Sequence, residues 1–307
     1  MKKLTLEEYA ARFGDTSRPE VPFSLYLAEA EDTPLPRRNV HSHKYTYGRV
    51  LLIAGCRGYS GAPALSANAC ERSGAGLTHL MVPESIYPIA AARCDGAVVT
   101  PLEADDAGGF SPGAAEAVLP VLEKADACMI GPGLGAGAGA SSLVETVLRE
   151  GRCPLVLDAD ALQPGRFEGY ASPVILTPHE GEFRRLGGDV SRGRLAGALS
   201  FTAAHKNVIL ILKGPGTLIC RGSEAVVNPT GTPAMAKGGS GDVLSGMLAA
   251  LLGQGFDAWF AARCAVYLHG LAGEIACGKY GEYGVAPSDL IAALPDAFRA
   301  VCREAAP

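Results

Sequence analysis

The sequence predicts an α/β fold with a mostly parallel central sheet and helices on both faces. Short apolar runs rich in β-branched residues, bounded by glycine or proline, alternate with amphipathic stretches from about His41 onward. This alternation is typical of parallel sheets, whose strands need crossover connections. No polar or low-complexity linker interrupts it. We therefore expect a single catalytic domain over residues 41–307, preceded by an N-terminal extension over residues 1–40.

The individual elements follow from these runs. The proline-rich extension predicts only one short helix, at residues 5–13. The predicted strands are residues 49–54, 77–82, 127–130, 154–158, 174–177 and 208–213. The predicted helices are residues 62–73, 141–150, 181–186, 192–205, 239–252, 257–278 and 286–300. Residues 217–220 and 225–228, with four residues between them, predict an antiparallel hairpin added to the sheet.

Composition and charge exclude several classes of protein. The chain has 307 residues, of which 48% are hydrophobic and 19% are charged, as in a compact globular protein. Its net charge of -5 argues against a nucleic-acid partner, since nucleic-acid binding needs clustered Lys and Arg. Nine cysteines without a C-x-x-C pair predict neither a disulfide framework nor a zinc site. No export signal or long apolar stretch is present, so we expect a cytoplasmic protein without a membrane partner.

The strongest functional pattern is a glycine-rich turn, KGGSGDVLSG at residues 237–246, which leads into an apolar helix. Gly239 and Gly241 let the backbone approach a ligand closely, and a helix N-terminus presents free N–H groups that suit a phosphate. Asp242 lies in the first turn of this helix. It either compensates the helix dipole or accepts a hydroxyl proton during phosphoryl transfer, and we favour the general base.

Other polar and glycine-rich turns follow neighbouring predicted strands. Because ligands bind at the carboxyl ends of parallel strands, we expect these turns to meet at one edge of the sheet. They contain GPGLG at residues 131–135 and the residues Lys213, Gly214, Pro215, Gly216 and Thr217. Asp158 and Asp160 follow another strand, where they either hold the water shell of Mg²⁺ or cap a helix, and we assign no metal ligand. For Glu180 and Glu182 we favour helix-dipole compensation over a substrate contact.

Seven ordered segments make the sequence resemble the ADP-dependent NAD(P)H-hydrate dehydratases, which have a three-layer ribokinase-like fold. The segments are SHK at 42–44 with GRVLLIAG at 48–55, YSGA at 59–62, GPGLG at 131–135, LDADAL at 157–162, TPHEGE at 177–182, KGP at 213–215, and NPTG at 228–231 running into the glycine turn. The resemblance covers nearly everything from His41 onward. The chain departs from the family's usual residues at Tyr45, Ala234 and Lys237.

The resemblance implies an enzyme that repairs damaged nicotinamide cofactor. ADP or ATP, with Mg²⁺, phosphorylates the hydroxyl of (S)-hydrated NADH or NADPH, and elimination of phosphate then restores the ring. Asp242 is the implied base, and backbone N–H groups of residues 239–241 stabilise the transferred phosphoryl group. Residues 213–217 are the implied nucleotide loop. The implied partners are these small molecules and further copies of the chain, in a homo-oligomer that the resemblance makes a tetramer.

The resemblance also implies four residues that bind the hydrated cofactor. They are Ala62, Gly133, Gly135 and His179. His179 has a structural alternative, because a histidine at a strand end can simply cap the following helix.

Two other functions stay open from the sequence. A small-molecule kinase of the same fold, acting on hydroxyethylthiazole or hydroxymethylpyrimidine, shares the glycine turn and Asp242. The SHK and TPH segments fit the dehydratases better. A non-catalytic nucleotide-binding regulator is disfavoured, because a site that only binds nucleotide does not need a base in front of the phosphate.

Overall fold

The computed structural model describes residues 1–165 and 167–302. Its strands, numbered in chain order, are β1 Lys2–Lys3, β2 Ser24–Leu27, β3 Arg49–Ile53, β4 Leu77–Pro83, β5 Val98–Leu102, β6 Ala127–Ile130, β7 Leu155–Leu157, β8 Val174–Leu176, β9 Val208–Leu212, β10 Leu218–Arg221 and β11 Glu224–Val227. Its helices are α1 Leu6–Phe13, α2 Gly61–Arg72, α3 Tyr87–Arg93, α4 Ala114–Ala117, α5 Leu119–Leu122, α6 Ala138–Glu150, α7 Glu180–Arg185, α8 Arg194–Ala204, α9 Ser240–Gly253, α10 Ala258–Gly284 and α11 Pro287–Val301. Short 3₁₀ turns lie between several of these elements.

Within the described residues, the strands form one mixed sheet in the order β1-β2-β11-β10-β9-β8-β7-β6-β3-β4-β5. Strands β3 to β9 are all parallel to one another, and β10 is antiparallel to both β9 and β11. The order reverses at β3, which pairs with β4 on one side and with β6 on the other. Such a reversal opens a crevice at the carboxyl ends of the two strands, where ligands bind in open α/β sheets.

The sheet is buried on both faces because its strands carry apolar residues on alternate sides. In β3, Val50 and Leu52 pack into one core, while Leu51 and Ile53 pack into the other. The first core lies under α2, α9, α10 and α11, and the second lies under α1, α6 and α8. The predicted three-layer α/β fold with a mostly parallel sheet is therefore confirmed. Among the described helices, none is both long and apolar enough to cross a membrane.

The N-terminal residues are joined to the sheet. We treated residues 1–40 as an extension that contains one helix, and α1 forms there with Thr5 as its N-cap. The segment also supplies β1 and β2, and β2 pairs in parallel with β11 through Ser24–Leu27. The sequence did not predict β2 because Ser24–Leu27 is short and lies among prolines.

Two other differences from the predicted elements have simple physical causes. Strand β5 was not predicted, because it contains Pro101 and lies half-exposed at the edge of the sheet. The hairpin strands β10 and β11 each extend one residue further into the turn than predicted, so that only Gly222 and Ser223 connect them. Gly222 has φ +55°, as two-residue hairpin turns require.

Helices α2 and α9 pack closely enough to require a glycine at their crossing. A Cβ atom added to Gly246 of α9 would lie 2.1 Å from the carbonyl oxygen of Ser66 in α2. The Ser66 hydroxyl also donates to the Asp242 carbonyl at 3.1 Å. The crossing therefore fixes the first turn of α9 against α2.

We predict that Gly246→Ala destabilises the protein by about 1–3 kcal/mol, because the added methyl group overlaps the backbone of α2. The matched control is Gly278→Ala in α10, where nothing lies within 4 Å of the added Cβ. That change should stabilise the protein by about 0.5–1 kcal/mol through helix propensity. Urea unfolding of both variants measures these free energies, and equal stability of the two would contradict the predicted close packing.

Candidate active site

The predicted site residues lie at one edge of the sheet, in the segments that follow the carboxyl ends of the parallel strands. Ala62 lies in the first turn of α2 after β3, Gly133 and Gly135 follow β6, His179 follows β8, Lys213 to Thr217 follow β9, and Gly239, Gly241 and Asp242 lie at the start of α9. The contacts described below divide them into two groups, one around Lys213 and Asp242 and one around Gly133 and Ala62.

The glycine-rich turn enters α9 through a left-handed residue. Gly239 is the N-cap with φ +99°, and a Cβ atom on it would lie 2.7 Å from Leu65. Gly241 lies directly over Lys213, whose Nζ would be 3.3 Å from a Cβ atom at that position. The open N–H groups of the first turn of α9 and the ammonium group of Lys213 therefore face the same small volume, which suits an anion.

A buried carboxylate holds Lys213 in place. The Asp158 side chain, only 1% exposed, accepts hydrogen bonds from Thr177 Oγ1 at 2.7 Å, Lys213 Nζ at 3.1 Å and Ser245 Oγ at 2.6 Å. Glu182 lies 3.7 Å from the same ammonium group. Burial works against the charge of Lys213, but these acidic neighbours outweigh it and raise the pKa of Lys213. Lys213 is therefore a fixed positive charge at neutral pH.

The site raises the pKa of Asp242 toward neutral pH. Burial, with the negative charges of Asp158 and Asp160, raises its pKa from the usual 3.8 to about 6, while Lys213 opposes part of that rise. A carboxylate with a pKa near 6 is deprotonated at neutral pH and is still basic enough to accept a proton from a reacting hydroxyl. The geometry and charge therefore suit the general-base role predicted for Asp242.

Asp158 and Asp160 point in different directions because the residue between them is turned. Ala159 has φ +48°, the one positive φ outside glycine among the described residues. Asp158 enters the buried network, whereas one oxygen of Asp160 accepts from the Gly135 N–H at 2.9 Å. Both oxygens of Asp158 have protein partners, whereas among residues 1–165 and 167–302 only one oxygen of Asp160 has a protein partner.

The second group lies at the reversal of strand order between β3 and β6. A Cβ atom on Gly133 would lie 3.3 Å from the Cβ of Ala62 and 2.8 Å from that of Tyr59. A cavity of about 140 Å³ opens beside it, lined by Cys56, Arg57, Asp105, Gly135 and neighbouring residues. The predicted hydrate-binding residues Ala62, Gly133 and Gly135 thus lie together at the crevice that the topology creates.

His179 caps a helix, as its structural alternative proposed. Its Nδ1 accepts from the N–H groups of Gly181 at 3.0 Å and Glu182 at 3.3 Å. Glu182 in turn accepts from the His179 N–H at 2.7 Å. The remaining ring nitrogen, Nε2, lies 3.5 Å from Glu182 Oε1, on a side chain that is 60% exposed. Contact of this side chain with a substrate stays a prediction.

Two segments singled out in the sequence lie elsewhere or have other partners. Residues 42–44 precede β3, and the Lys44 carbonyl packs on Gly76 before β4, so this segment lies at the opposite edge of the sheet. Lys237 Nζ donates hydrogen bonds to the carbonyl oxygens of Tyr283 and Val285. The Lys237 side chain therefore connects the glycine turn to the end of α10.

Sequence reasoning missed several residues that shape the site. Thr177, Ser245 and Arg194 each hold a predicted site residue or its neighbour, and none of them was proposed for a role. Ser245 had a usable signal, since it lies three residues after Asp242 and so on the same face of the helix. Nothing in the local sequence indicates the partner of Arg194.

Comparison with known proteins gives a consistent answer. The sequence profile of a family described as NAD(P)H-hydrate dehydratase matches residues 50–296. The bifunctional NAD(P)H-hydrate repair enzyme of Moorella thermoacetica is 38% identical over 275 residues, which are 86% of this chain and 52% of that protein. The chain therefore spans about half the length of the curated relatives it matches.

Solved structures extend the similarity over most of the chain. The ADP/ATP-dependent NAD(P)H-hydrate dehydratase of Bacillus subtilis, co-crystallised with ATP and Mg²⁺, is 31% identical with a TM-score of 0.76 and covers 91% of this chain and 98% of its own. A ribokinase-like superfamily protein from Enterococcus faecalis is also 31% identical, with a TM-score of 0.80, and covers 91% of this chain and 96% of its own.

We predict that Asp242→Asn stabilises the protein by about 1–3 kcal/mol at pH 8. The folded state raises the pKa of Asp242 from 3.8 to about 6, so the ionised carboxylate opposes folding once the pH exceeds both values. This penalty grows between about pH 4 and pH 6 and is absent below pH 4. Urea unfolding of both proteins at pH 8 and pH 4 measures the difference, and a variant less stable at pH 8 than at pH 4, relative to wild type, would contradict the raised pKa.

Proposed function

The chain belongs to the NAD(P)H-hydrate dehydratase family, and from this premise we propose that it repairs hydrated NADH and NADPH. The proposed reaction uses ADP or ATP to remove the elements of water from the (S)-hydrate and restores the reduced nicotinamide ring. Its products are NADH or NADPH, phosphate, and AMP or ADP. This makes the protein a hydro-lyase driven by a phosphoryl donor.

The observation that carries this proposal is the position of Asp242, a basic carboxylate at the N-terminus of α9 beside the fixed charge of Lys213. In the first step, Asp242 accepts the proton of the hydrate hydroxyl while the oxygen of that hydroxyl attacks the terminal phosphorus of the nucleotide. The bond from that phosphorus to the leaving oxygen breaks, and AMP or ADP departs. The N–H groups of the first turn of α9 donate to the transferred group as its charge shifts.

In the second step, phosphate leaves with the electron pair of the C–O bond, and the neighbouring ring carbon loses a proton to solvent water, which restores the double bond. Phosphorylation has turned a poor leaving group, hydroxide, into a good one. The anion-binding volume formed by Lys213 and the start of α9 suits both the phosphoryl group in transfer and the phosphate that leaves.

The nucleotide would lie along residues 213–217, whose turn leaves β9 beside the start of α9. Mg²⁺ keeps several waters and binds chiefly through phosphates and one or two carboxylates, where it neutralises charge on the phosphates. Asp160 fits that role, because one of its carboxylate oxygens has no hydrogen-bond partner among the residues that the structure describes. Asp158 does not, because both of its oxygens already accept hydrogen bonds.

The hydrated ring would lie between this volume and the crevice at Gly133 and Ala62. The Ser66 hydroxyl joins α2 to the Asp242 carbonyl, so the two halves of the site are held at a fixed spacing. The exposed imidazole of His179, whose Nε2 lies 3.5 Å from Glu182, is on the turn after β8 at the same edge. We propose that it contacts the hydrate.

Two finer parts of the proposal concern assembly and location. We propose a homo-oligomer, a tetramer by family resemblance, in the cytoplasm. Light scattering of the purified chain tests the first part, and a monomer over micromolar concentrations would refute it.

We predict nucleotide-dependent recovery of the reduced-nicotinamide absorbance when the protein is mixed with (S)-hydrated NADH, Mg²⁺ and either ADP or ATP. Asp242→Asn should lower kcat by roughly 10²–10⁴-fold, because the general base is lost, while the affinity for nucleotide stays within about threefold. Recovery with only one of the two nucleotides names the donor. Phosphorylation of hydroxyethylthiazole or hydroxymethylpyrimidine without any recovery of the hydrate would instead favour the small-molecule kinase.

We predict that kcat/KM falls about tenfold per pH unit below pH 6, because protonated Asp242 cannot accept the hydroxyl proton. Above about pH 7 this group no longer limits the rate. Initial rates at saturating nucleotide and low hydrate concentration, from pH 4.5 to pH 8, measure the profile. A profile that is flat between pH 5 and pH 7 would rule out a base with the pKa of Asp242.

A further inference from the structure

The turn that follows β9 is held from outside by one arginine. Arg194, the first residue of α8, donates to the carbonyl oxygens of Pro215 at 2.7 Å, Leu212 at 3.1 Å and Lys213 at 3.3 Å. Its guanidinium packs against Gly214, where a Cβ atom would lie 2.7 Å from Nη2. The planar fork of an arginine thereby fixes three carbonyls of one short loop, which a lysine cannot do.

Arg194 is itself placed by the N-terminal segment, residues 9–17. The N-cap of α8 is Gly193, which has no side chain to satisfy the free N–H groups of the helix. Asp15 Oδ2 instead accepts from the Leu195 N–H at 3.0 Å, and Ser17 Oγ accepts from the Ala196 N–H at 3.3 Å. Two residues that are about 180 positions earlier in the chain therefore cap this helix.

The hydrogen bonds around the Asp15 carboxylate favour its ionised form. Asp15 Oδ1 accepts from the Ser17 N–H at 2.9 Å, and Oδ2 also accepts from the hydroxyl of Tyr9 at 3.0 Å. Burial alone would raise the pKa of Asp15, but these hydrogen bonds and the one from Leu195 outweigh it and hold the pKa below its usual value. A Cβ atom on Gly193 would lie 2.2 Å from the Cβ of Ser17, so the two segments are in direct contact.

The same N-terminal segment touches the loop directly. The ring of Phe13 packs on Gly216, where an added Cβ atom would lie 2.4 Å from Cδ1. Phe13 packs in turn on Tyr9, with ring centroids 5.4 Å apart, and Tyr9 is fully buried. Residues 213–217 are therefore held by Phe13 on one side and by Arg194 on the other.

We propose that the N-terminal segment, residues 9–17, and Arg194 are positioning residues for adenine-nucleotide binding. They touch the loop rather than the reacting atoms, and they keep it in the conformation that receives the nucleotide. This inference rests on the proposed function, which assigns residues 213–217 to the nucleotide.

The physical effect is one of conformational population. A glycine-rich loop held at its carbonyls has one conformation, whereas a released loop samples several and binds nucleotide only in the competent fraction. The apparent dissociation constant rises by the inverse of that fraction. The crevice at Gly133 and Ala62 lies on other loops, so its affinity for the hydrate should not change.

The test measures the binding of ADP and ATP, each with Mg²⁺, to the full chain by calorimetry at a temperature well below unfolding. We expect the dissociation constant to rise roughly tenfold in Arg194→Lys and roughly threefold or more in Asp15→Asn and Phe13→Ala. In the repair assay, KM for nucleotide should rise by the same factors, while KM for the hydrate stays within about twofold and kcat within about threefold.

Two controls separate positioning from simple loss of stability. Arg192→Ala removes an exposed ion pair to Glu20 that joins the same two parts of the chain without touching the loop, and its nucleotide affinity should match wild type. Leu25→Ala removes a buried side chain from β2, which pairs with β11 and not with the turn after β9. It should lower Tm while leaving nucleotide affinity within about twofold.

The outcomes distinguish the two levels of the proposal. If wild type binds nucleotide and Arg194→Lys, Asp15→Asn and Phe13→Ala bind it equally well, the positioning role is wrong and the proposed function stands. If affinity falls in Leu25→Ala in proportion to its loss of Tm, the segment acts only through stability and the positioning role is again wrong. If wild type binds neither ADP nor ATP, the proposed function itself fails. Should Asp15→Asn not fold, Arg194→Lys decides the question alone.

Discussion

The buried pair of Asp158 and Lys213 is the interaction on which the arrangement of the site depends. Asp158 follows β7, and its partners Thr177, Lys213 and Ser245 come from β8, β9 and α9. Four elements of the sheet edge are therefore joined by one carboxylate. Removing Lys213 leaves the buried carboxylate of Asp158 without its counter-charge, at a cost of roughly 3–5 kcal/mol. The network thus holds the anion-binding volume together and keeps Lys213 charged.

The same network makes ionised Asp242 unfavourable for the stability of the folded state. The negative charge of Asp158 is needed for Lys213, yet it also raises the pKa of Asp242 by repulsion. Folding tolerates this because Lys213 lies close enough to oppose part of the rise. A carboxyl group whose ionised form is destabilised by folding binds its proton more tightly than the same group in the unfolded chain. The raised pKa, which lowers the stability of the folded state, therefore suits Asp242 to its proposed role as a base at neutral pH.

The sequence predicted the buried parallel strands β3, β4 and β6 to β9, and the turns at their carboxyl ends, because both leave local signals. Buried strands read as short β-branched runs, and the turns carry glycines that no other residue replaces easily. The parts it missed depend on contacts between distant segments. Strand β2 takes its place from β11, about 200 residues later, and the cap of α8 comes from Asp15 and Ser17. Periodicity within a window carries no information about such partners.

Residues 42–44 give the opposite lesson, because a segment that marks a family need not lie at its site. They precede β3, and in a parallel sheet the starts of strands share the edge opposite to their ends. The packing of Lys44 on Gly76 fixes the entry into β3 and β4, so this segment sets where those strands begin. The site depends on it indirectly, because the position of each strand end follows from where that strand starts. The residues proposed for the chemistry lie in the loops at the other edge. There Asp158 joins the segments after β7, β8 and β9 to α9, and the Ser66 hydroxyl joins α2 to the Asp242 carbonyl.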